Sequence, residues 1–163
     1  MSSKLVLGGN NFVRKIYTMI FSKSFGYAVR GILYLASTNS QRGNIQADEI
    51  ALSLSVPKHF MSKMLKKLAH KKIIKSVRGP NGGFSFPKEN DSIKLIEILR
   101  ITDAKDPFDK CILQWKQCNS KRPCPMHGFI TPVKNELQSI FHKVSISDLS
   151  GKNAKTLLKQ LMN

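Results

Sequence analysis

Ser55-Val56-Pro57-Lys58-His59-Phe60-Met61-Ser62-Lys63-Met64-Leu65-Lys66-Lys67-Leu68-Ala69-His70 is followed shortly by Ile73-Ile74-Lys75-Ser76-Val77-Arg78-Gly79-Pro80-Asn81-Gly82-Gly83-Phe84-Ser85-Phe86. The fold turns on this stretch. Proline is tolerated at the first position of a helix, so Ser55-Val56-Pro57 breaks the chain and restarts it as a helix running to about His70. Phe60, Met61, Met64, Leu65 and Leu68 recur at helical spacing and form the expected buried stripe. The other face carries Lys58, His59, Ser62, Lys63, Lys66 and Lys67. The β-branched run Ile73–Val77, the turn-forming residues 78–83 and the alternation Phe84-Ser85-Phe86 predict a β-hairpin.

Working outward, residues 46–54 predict a short helix burying Ile50, Ala51 and Leu54. Asp48 and Glu49 fall in its first turn, where the helix dipole favours anions. A short helix, a tight turn and a basic amphipathic helix is a helix-turn-helix plan, and a hairpin after it is a wing. A longer helix over Phe21–Ala36 precedes it, with Ser22 or Ser24 as N-cap, and Thr38–Asn44 reads as a loop. A helix is expected over Ser92–Ile101 with Ser92 as cap, then a polar loop. Another spans about Pro125–Val144, with Phe129, Val133, Leu137, Ile140, Phe141 and Val144 as its apolar row. Pro132 should kink that helix or mark its effective start. Ser145–Leu149 fits one short turn. The expected class is mainly α with a small β-hairpin. Its units are a flexible extension over 1–18, a winged helix-turn-helix over 19–90, a cysteine loop and long helix over 91–150, and a tail over 151–163.

The charge agrees with that plan. The chain has 163 residues, 27 Lys plus Arg against 10 Asp plus Glu, and a formal charge of +17. Residues 1–90 hold 15 basic and 3 acidic side chains. No acid lies between Glu49 and Glu89, while nine bases do. So one-sided a segment fits a polyanion better than a mixed solvated surface. On this reading Lys58, His59, Ser62 and Lys63 reach base edges or phosphates of double-stranded DNA, and Lys66, Lys67, Lys71 and Lys75 neutralise phosphates. Arg78 enters a narrow minor groove, with Gly79, Gly82 and Gly83 letting the backbone come close. A two-fold protein implies a pseudo-palindromic operator.

Several classes are excluded or disfavoured. The apolar runs are far short of the ~20 residues that span a bilayer, and no signal peptide is visible, so a cytoplasmic protein that engages no membrane is expected. No Gly-Lys-Ser/Thr follows the glycine turn, which disfavours a phosphate loop. Cys124 and His127 lack a nearby orienting acid, and neither an enzyme nor a small-molecule substrate is expected. One Trp and three Tyr are few for stacking RNA bases, which leaves an RNA-binding protein with structural zinc as the weaker alternative.

Cys111, Cys118, Cys124 and His127 form a second signal, separated by six, five and two residues. Three thiolates and an imidazole suit zinc or an iron–sulfur cluster. Zinc knuckles hold cysteines two to four residues apart, so these wide intervals suit a larger inorganic core. A metal-free thiol switch, with His127 as a surface or capping imidazole, is the other reading. Lys110, Lys116, Lys121 and Arg122 would lower thiolate pKa values in either case.

Four segments resemble the "Rrf-two" transcriptional regulators, the IscR/NsrR family. Residues 19–30, from Met19 to Arg30, look like the opening of that family, and Lys75–Phe84 looks like its wing. Cys111, Cys118 and Cys124-Pro125-Met126-His127 look like its cluster loop, and Val144–Leu149 like its closing segment. The resemblance covers about residues 19–150. It implies a bacterial winged helix-turn-helix homodimer, paired through the long helix after the cysteines. It also implies a 2Fe–2S or 4Fe–4S cluster that tunes binding to DNA, with repression as the expected output. Residues 1–18 have no counterpart. Some relatives supply a carboxylate ligand from the first helix, but residues 22–28 contain no acid, which leaves His127 as the implied fourth ligand. Ser62 stands where some relatives carry an acid.

Overall fold

The computed structural model of the chain describes residues 21–103, 106–111, 113, 120–150, 156 and 159, with the side chains of 39–42 outside the description. In chain order the elements are α1 (Lys23–Arg42), α2 (Ala47–Ser53), α3 (Lys58–His70), β1 (Lys75–Val77), β2 (Gly83–Ser85), α4 (Leu95–Thr102), α5 (His127–Lys143) and α6 (Ile146–Ser150). Short 3-10 turns occupy Lys88–Asn90 and Pro107–Asp109. The class is the expected one, mainly helical with a two-stranded antiparallel hairpin. The expectations for 1–18 and most of 151–163 lie outside the described residues.

Ser22 caps α1, its Oγ accepting from Phe25 N at 3.1 Å. Phe25, Ala28, Ile32 and Leu35 are buried at alternating three- and four-residue steps. The loop expected from Thr38 does not form, because α1 continues to Arg42. Its polar last turns contain no Pro or Gly, and Thr38 Oγ1 bonds back to Tyr34 O at 2.7 Å. Gly43, at φ 69°, ends the helix.

Helices α2 and α3 pair through a tight turn in which Ser55 takes φ 51° and Val56 N donates to Ala51 O at 3.0 Å. Phe60 N and Met61 N both donate to Pro57 O, opening α3 where proline placed it. Met61, Met64, Leu65 and Leu68 are buried as expected. Phe60 is a correction: it is 48% exposed. It lies one residue before Met61, about 100° round the helix from the core stripe. Gly31 of α1 faces Met61, and a Cβ there would lie 3.3 Å from Met61 Sδ, so the two helices cross closely.

In the hairpin Lys75 pairs with Ser85, Ser76 with Phe84 and Val77 with Gly83. The strand starts two residues later than expected, with Ile73 and Ile74 buried in the lead-in. Ile45, in the link from α1 to α2, adds a third line of pairing. It exchanges two backbone hydrogen bonds with Phe84, at 2.9 and 2.8 Å.

Helix α4 begins at Leu95 rather than at Ser92. Residues before it are extended and paired with the link between α5 and α6: Leu95 N donates to Val144 O, and Ile146 N to Ile93 O, both at 3.0 Å. Glu97 Oε2 accepts from Lys94 N at 2.8 Å and so closes the new N-terminus. Helix α5 begins five residues before Pro132, which therefore does not mark its start. Thr131 Oγ1 donates to His127 O in that first turn. Ser145 caps α6, accepting from Asp148 N while Asp148 Oδ2 accepts from Ser145 N at 2.8 Å. Buried side chains from Phe25 to Ile146 form one continuous core.

Candidate nucleic-acid interface and cysteine loop

Helix α3 presents Lys58, His59, Lys63 and Lys66 to solvent, with Ser62 half-buried at the edge of the same face. The buried methionines and leucines on its opposite side fix this orientation against α1 and α2. Three of the expected DNA contacts have intramolecular partners. Lys58 Nζ sits 2.5 Å from Asp48 Oδ2 of α2. Lys67 Nζ donates to Thr102 O at the end of α4, at 3.4 Å. Lys75 Nζ pairs with Glu89 Oε1 at 2.8 Å, and that hydrogen bond holds the Glu89 carboxyl below its ordinary pKa.

The wing tip carries exposed Arg78 and Gly79, and Gly79 at φ 110° has open space around it. Gly82 and Gly83 serve the protein's own packing. A Cβ on Gly82 would lie 2.3 Å from Val77 O, and one on Gly83 would lie 2.5 Å from Ile45 O. Gln46 Nε2 donates to Pro80 O at 3.3 Å, tying the tip to the N-cap of α2.

Of the expected metal ligands, Cys111 is buried, whereas Cys124 and His127 are half-buried. His127 N donates to Cys124 O at 2.9 Å, so these two share the turn that opens α5. Lys134 Nζ, from the next turns of α5, donates to Lys110 O at 2.9 Å beside Cys111. Cys118 lies outside the described residues. Among the described residues no three His, Cys, Asp or Glu side chains converge as a metal site. The thiol and imidazole chemistry of the set nonetheless fits zinc or an iron–sulfur cluster, and α5 supports both ends of the loop.

The loop also has an aromatic root. Phe108, three residues before Cys111, meets Phe141 of α5 edge-on at 5.6 Å and Phe21 at 6.0 Å. Phe25 of α1 joins the same group, 5.5 Å from Phe141. Ser22 adds a polar tie, since its Oγ donates to Asp103 at the end of α4.

Local sequence gave no signal for Ile45 and Gln46 as supports of the wing. Nor did it point to Arg30, whose Nη2 donates to Leu54 O at 2.6 Å and closes the C-terminus of α2. Asp48 carried a signal, its place in a first turn, but not its pairing with Lys58. No helix among the described residues is long and apolar enough to cross a membrane.

The chain is similar to known regulators. Residues 21–152 match the Rrf2 family model, described as an iron-dependent transcriptional regulator. A helix-turn-helix transcriptional regulator of Aquifex aeolicus is 31% identical over 133 residues, covering 80% of this chain and 91% of its relative. The regulator IscR of Escherichia coli is 24% identical over 124 residues, covering 76% and 75%. Among solved structures, CymR, the global cysteine regulator of B. subtilis, superposes with TM-score 0.64 at 18% identity, covering 80% and 95%. IscR of T. potens gives TM-score 0.59 at 20% identity, covering 78% and 83%. These relatives are regulators of transcription, not enzymes, and their shared fold accounts for both the helix-turn-helix and the wing. The chain therefore belongs to the Rrf2 family and is a DNA-binding transcriptional regulator with a winged helix-turn-helix.

Proposed function

We propose that this regulator is a cytoplasmic homodimeric repressor whose operator affinity is tuned by an iron–sulfur cluster, 2Fe–2S or 4Fe–4S, held by Cys111, Cys118, Cys124 and His127. The supporting observation is the aromatic group that roots the cysteine loop, through Phe108, against Phe21 and Phe141. Any change in the loop is thereby felt by α5 and by the start of α1, which carries the helix-turn-helix on its flank. The iron-dependent character of the family and the soft donor set favour iron–sulfur over zinc.

Such a cluster supplies a centre whose integrity depends on oxidant, nitric oxide and iron supply. The chain's own residues do the rest. Cys111 and the Cys124–His127 turn anchor the two ends of the loop, and Lys134 ties Lys110 to α5. Through Lys110, the Cys124–His127 turn and Phe108, binding at this ligand set would bear on the position of α5 and, through Phe141, on that of α1. Helix α5 leaves Phe129, Val133 and Ile140 exposed at 77%, 60% and 45%. These side chains supply an apolar face for the same helix of a second copy. In the dimer the two α3 helices enter successive major grooves of a pseudo-palindromic operator. His59, Ser62 and Lys63 read base edges. Lys58, Lys66 and Lys71 meet phosphates, and Arg78 with Gly79 enters the minor groove, held there by Gly82 and Gly83.

Purification without oxygen, followed by iron, sulfide and visible-absorbance measurements, tests the cofactor. Matching iron and sulfide, lost in Cys118→Ala, are expected, as is a change in operator affinity when the cluster is removed. A colourless protein with one zinc per chain makes this a zinc-stabilised regulator, and a metal-free protein with oxidisable thiols makes it a thiol switch. Arg78→Ala is expected to weaken operator binding more than binding to random duplex, whereas equal loss on both reduces Arg78 to a phosphate contact.

A further inference from the structure

The recognition helix carries one side chain that neither the core nor its charged face absorbs. Phe60 lies in the first turn of α3, directly after His59, and is half exposed. Its ring stands 4.2 Å from the His59 imidazole and 6.3 Å from Tyr27 of α1. The three rings form a small aromatic ledge at the N-terminal end of the helix, the end that reads bases in this class of motif. Helix α3 itself is held by Met61, next in sequence and fully buried, so Phe60 is fixed in direction without being sealed.

An exposed phenyl ring has no use for phosphate, and it offers no hydrogen bond to a base edge. The one apolar group that the major groove displays is the thymine C5-methyl, and phenylalanine is among the side chains that contact it. We propose that Phe60 is a specificity-determining residue that reads a thymine methyl in each operator half-site, with His59 and Tyr27 holding its ring in place. The inference rests on α3 as the reading helix. It adds an apolar contact at the flank of a face composed of lysine, histidine and serine.

The test uses operators that the full-length protein selects from random duplex DNA. Each thymine is then replaced singly by deoxyuridine, which removes the methyl and nothing else. In the unaltered protein one thymine per half-site should become sensitive, its loss weakening binding about fourfold, the value of one buried methyl group. In Phe60→Ala that sensitivity should vanish while any others persist, and Phe60→Leu, which keeps an apolar side chain, should retain part of it. Equal thermal unfolding of the three proteins excludes a folding defect, and the leucine variant carries the test if the alanine variant unfolds. A deoxyuridine pattern unchanged in Phe60→Ala, or no sensitive thymine at all, overturns the proposal. Failure of α3 as the reading helix has a separate mark: His59→Ala and Lys63→Ala would select the same operator with the same affinity.

Discussion

Phe21 stacks on Phe141 with ring centroids 4.7 Å apart and planes 18° from parallel, joining the entrance of α1 to the last turn of α5. Phe141 is buried and touches Phe25 and Phe108 as well. Removing its ring opens a cavity at the meeting point of three segments. Phe141→Ala should cost about 3–4 kcal/mol in urea unfolding, and Phe141→Leu about 1 kcal/mol. The leucine variant should fold, and under the proposed cluster mechanism it should show a smaller difference in operator affinity between cluster-loaded and cluster-free protein, measured by titration under anaerobic conditions.

Gly83 takes φ 146°, and its missing Cβ is replaced by the backbone of Ile45. A backbone carbonyl gives way far less readily than a side-chain end. Gly83→Ala should therefore destabilise by about 2–3 kcal/mol and weaken operator binding, with far-UV circular dichroism nearly unchanged because the helices remain. Gly79→Ala meets open space and should cost only backbone strain, about 1 kcal/mol.

The exposed Lys58–Asp48 pair contributes under about 1 kcal/mol to folding, since water screens both partners. Its larger effect concerns DNA, because Asp48 cancels a positive charge at the start of α3. Asp48→Asn should leave the unfolding midpoint almost unmoved. It should tighten binding to any duplex and steepen the slope of log affinity against log salt by up to about one unit.

Two carboxyls make stability depend on pH. Hydrogen bonds from Ser145 hold Asp148 below its usual pKa, and the bond from Lys75 does the same for Glu89. Each keeps its charge when folded at pH values where the unfolded chain already takes up a proton. Their contribution is complete above the ordinary carboxylate range and is lost as pH falls below about 5 and through the lowered values. Asp148→Asn and Lys75→Met should each lower stability at pH 7 and flatten its fall on acidification, followed by denaturant unfolding at stepped pH.

Much of the fold was legible because its punctuation is local. Ser22, Pro57 and the glycine turn each act within a few residues, so α1 started, α3 opened and the hairpin turned where the sequence placed them. The misreadings have other causes. Thr38–Arg42 look like loop residues, but nothing there breaks a helix before Gly43. Ser92 is a good cap, but residues 93–95 are claimed by pairing with 144–146. Periodicity assigned Phe60 to the core although a stripe of four already filled it. At the candidate site the residue types were readable and their attachments were not. The pairing of Lys58 with Asp48 depends on the angle at which α2 and α3 pack, and the gathering of Phe21, Phe108 and Phe141 on distant segments meeting.

The two hydrogen bonds between Ile45 and Phe84 have a consequence for how DNA is chosen. They make the wing and the link ahead of α2 one stiff piece, so the gap between the wing tip and α3 is a fixed span. A duplex engaged by both must bring its major groove and the adjoining minor groove to that span. On the proposed mode of binding, with α3 and the wing on one duplex, the protein would act as a gauge of groove width, favouring base steps that narrow or bend cheaply, including at positions that no side chain touches.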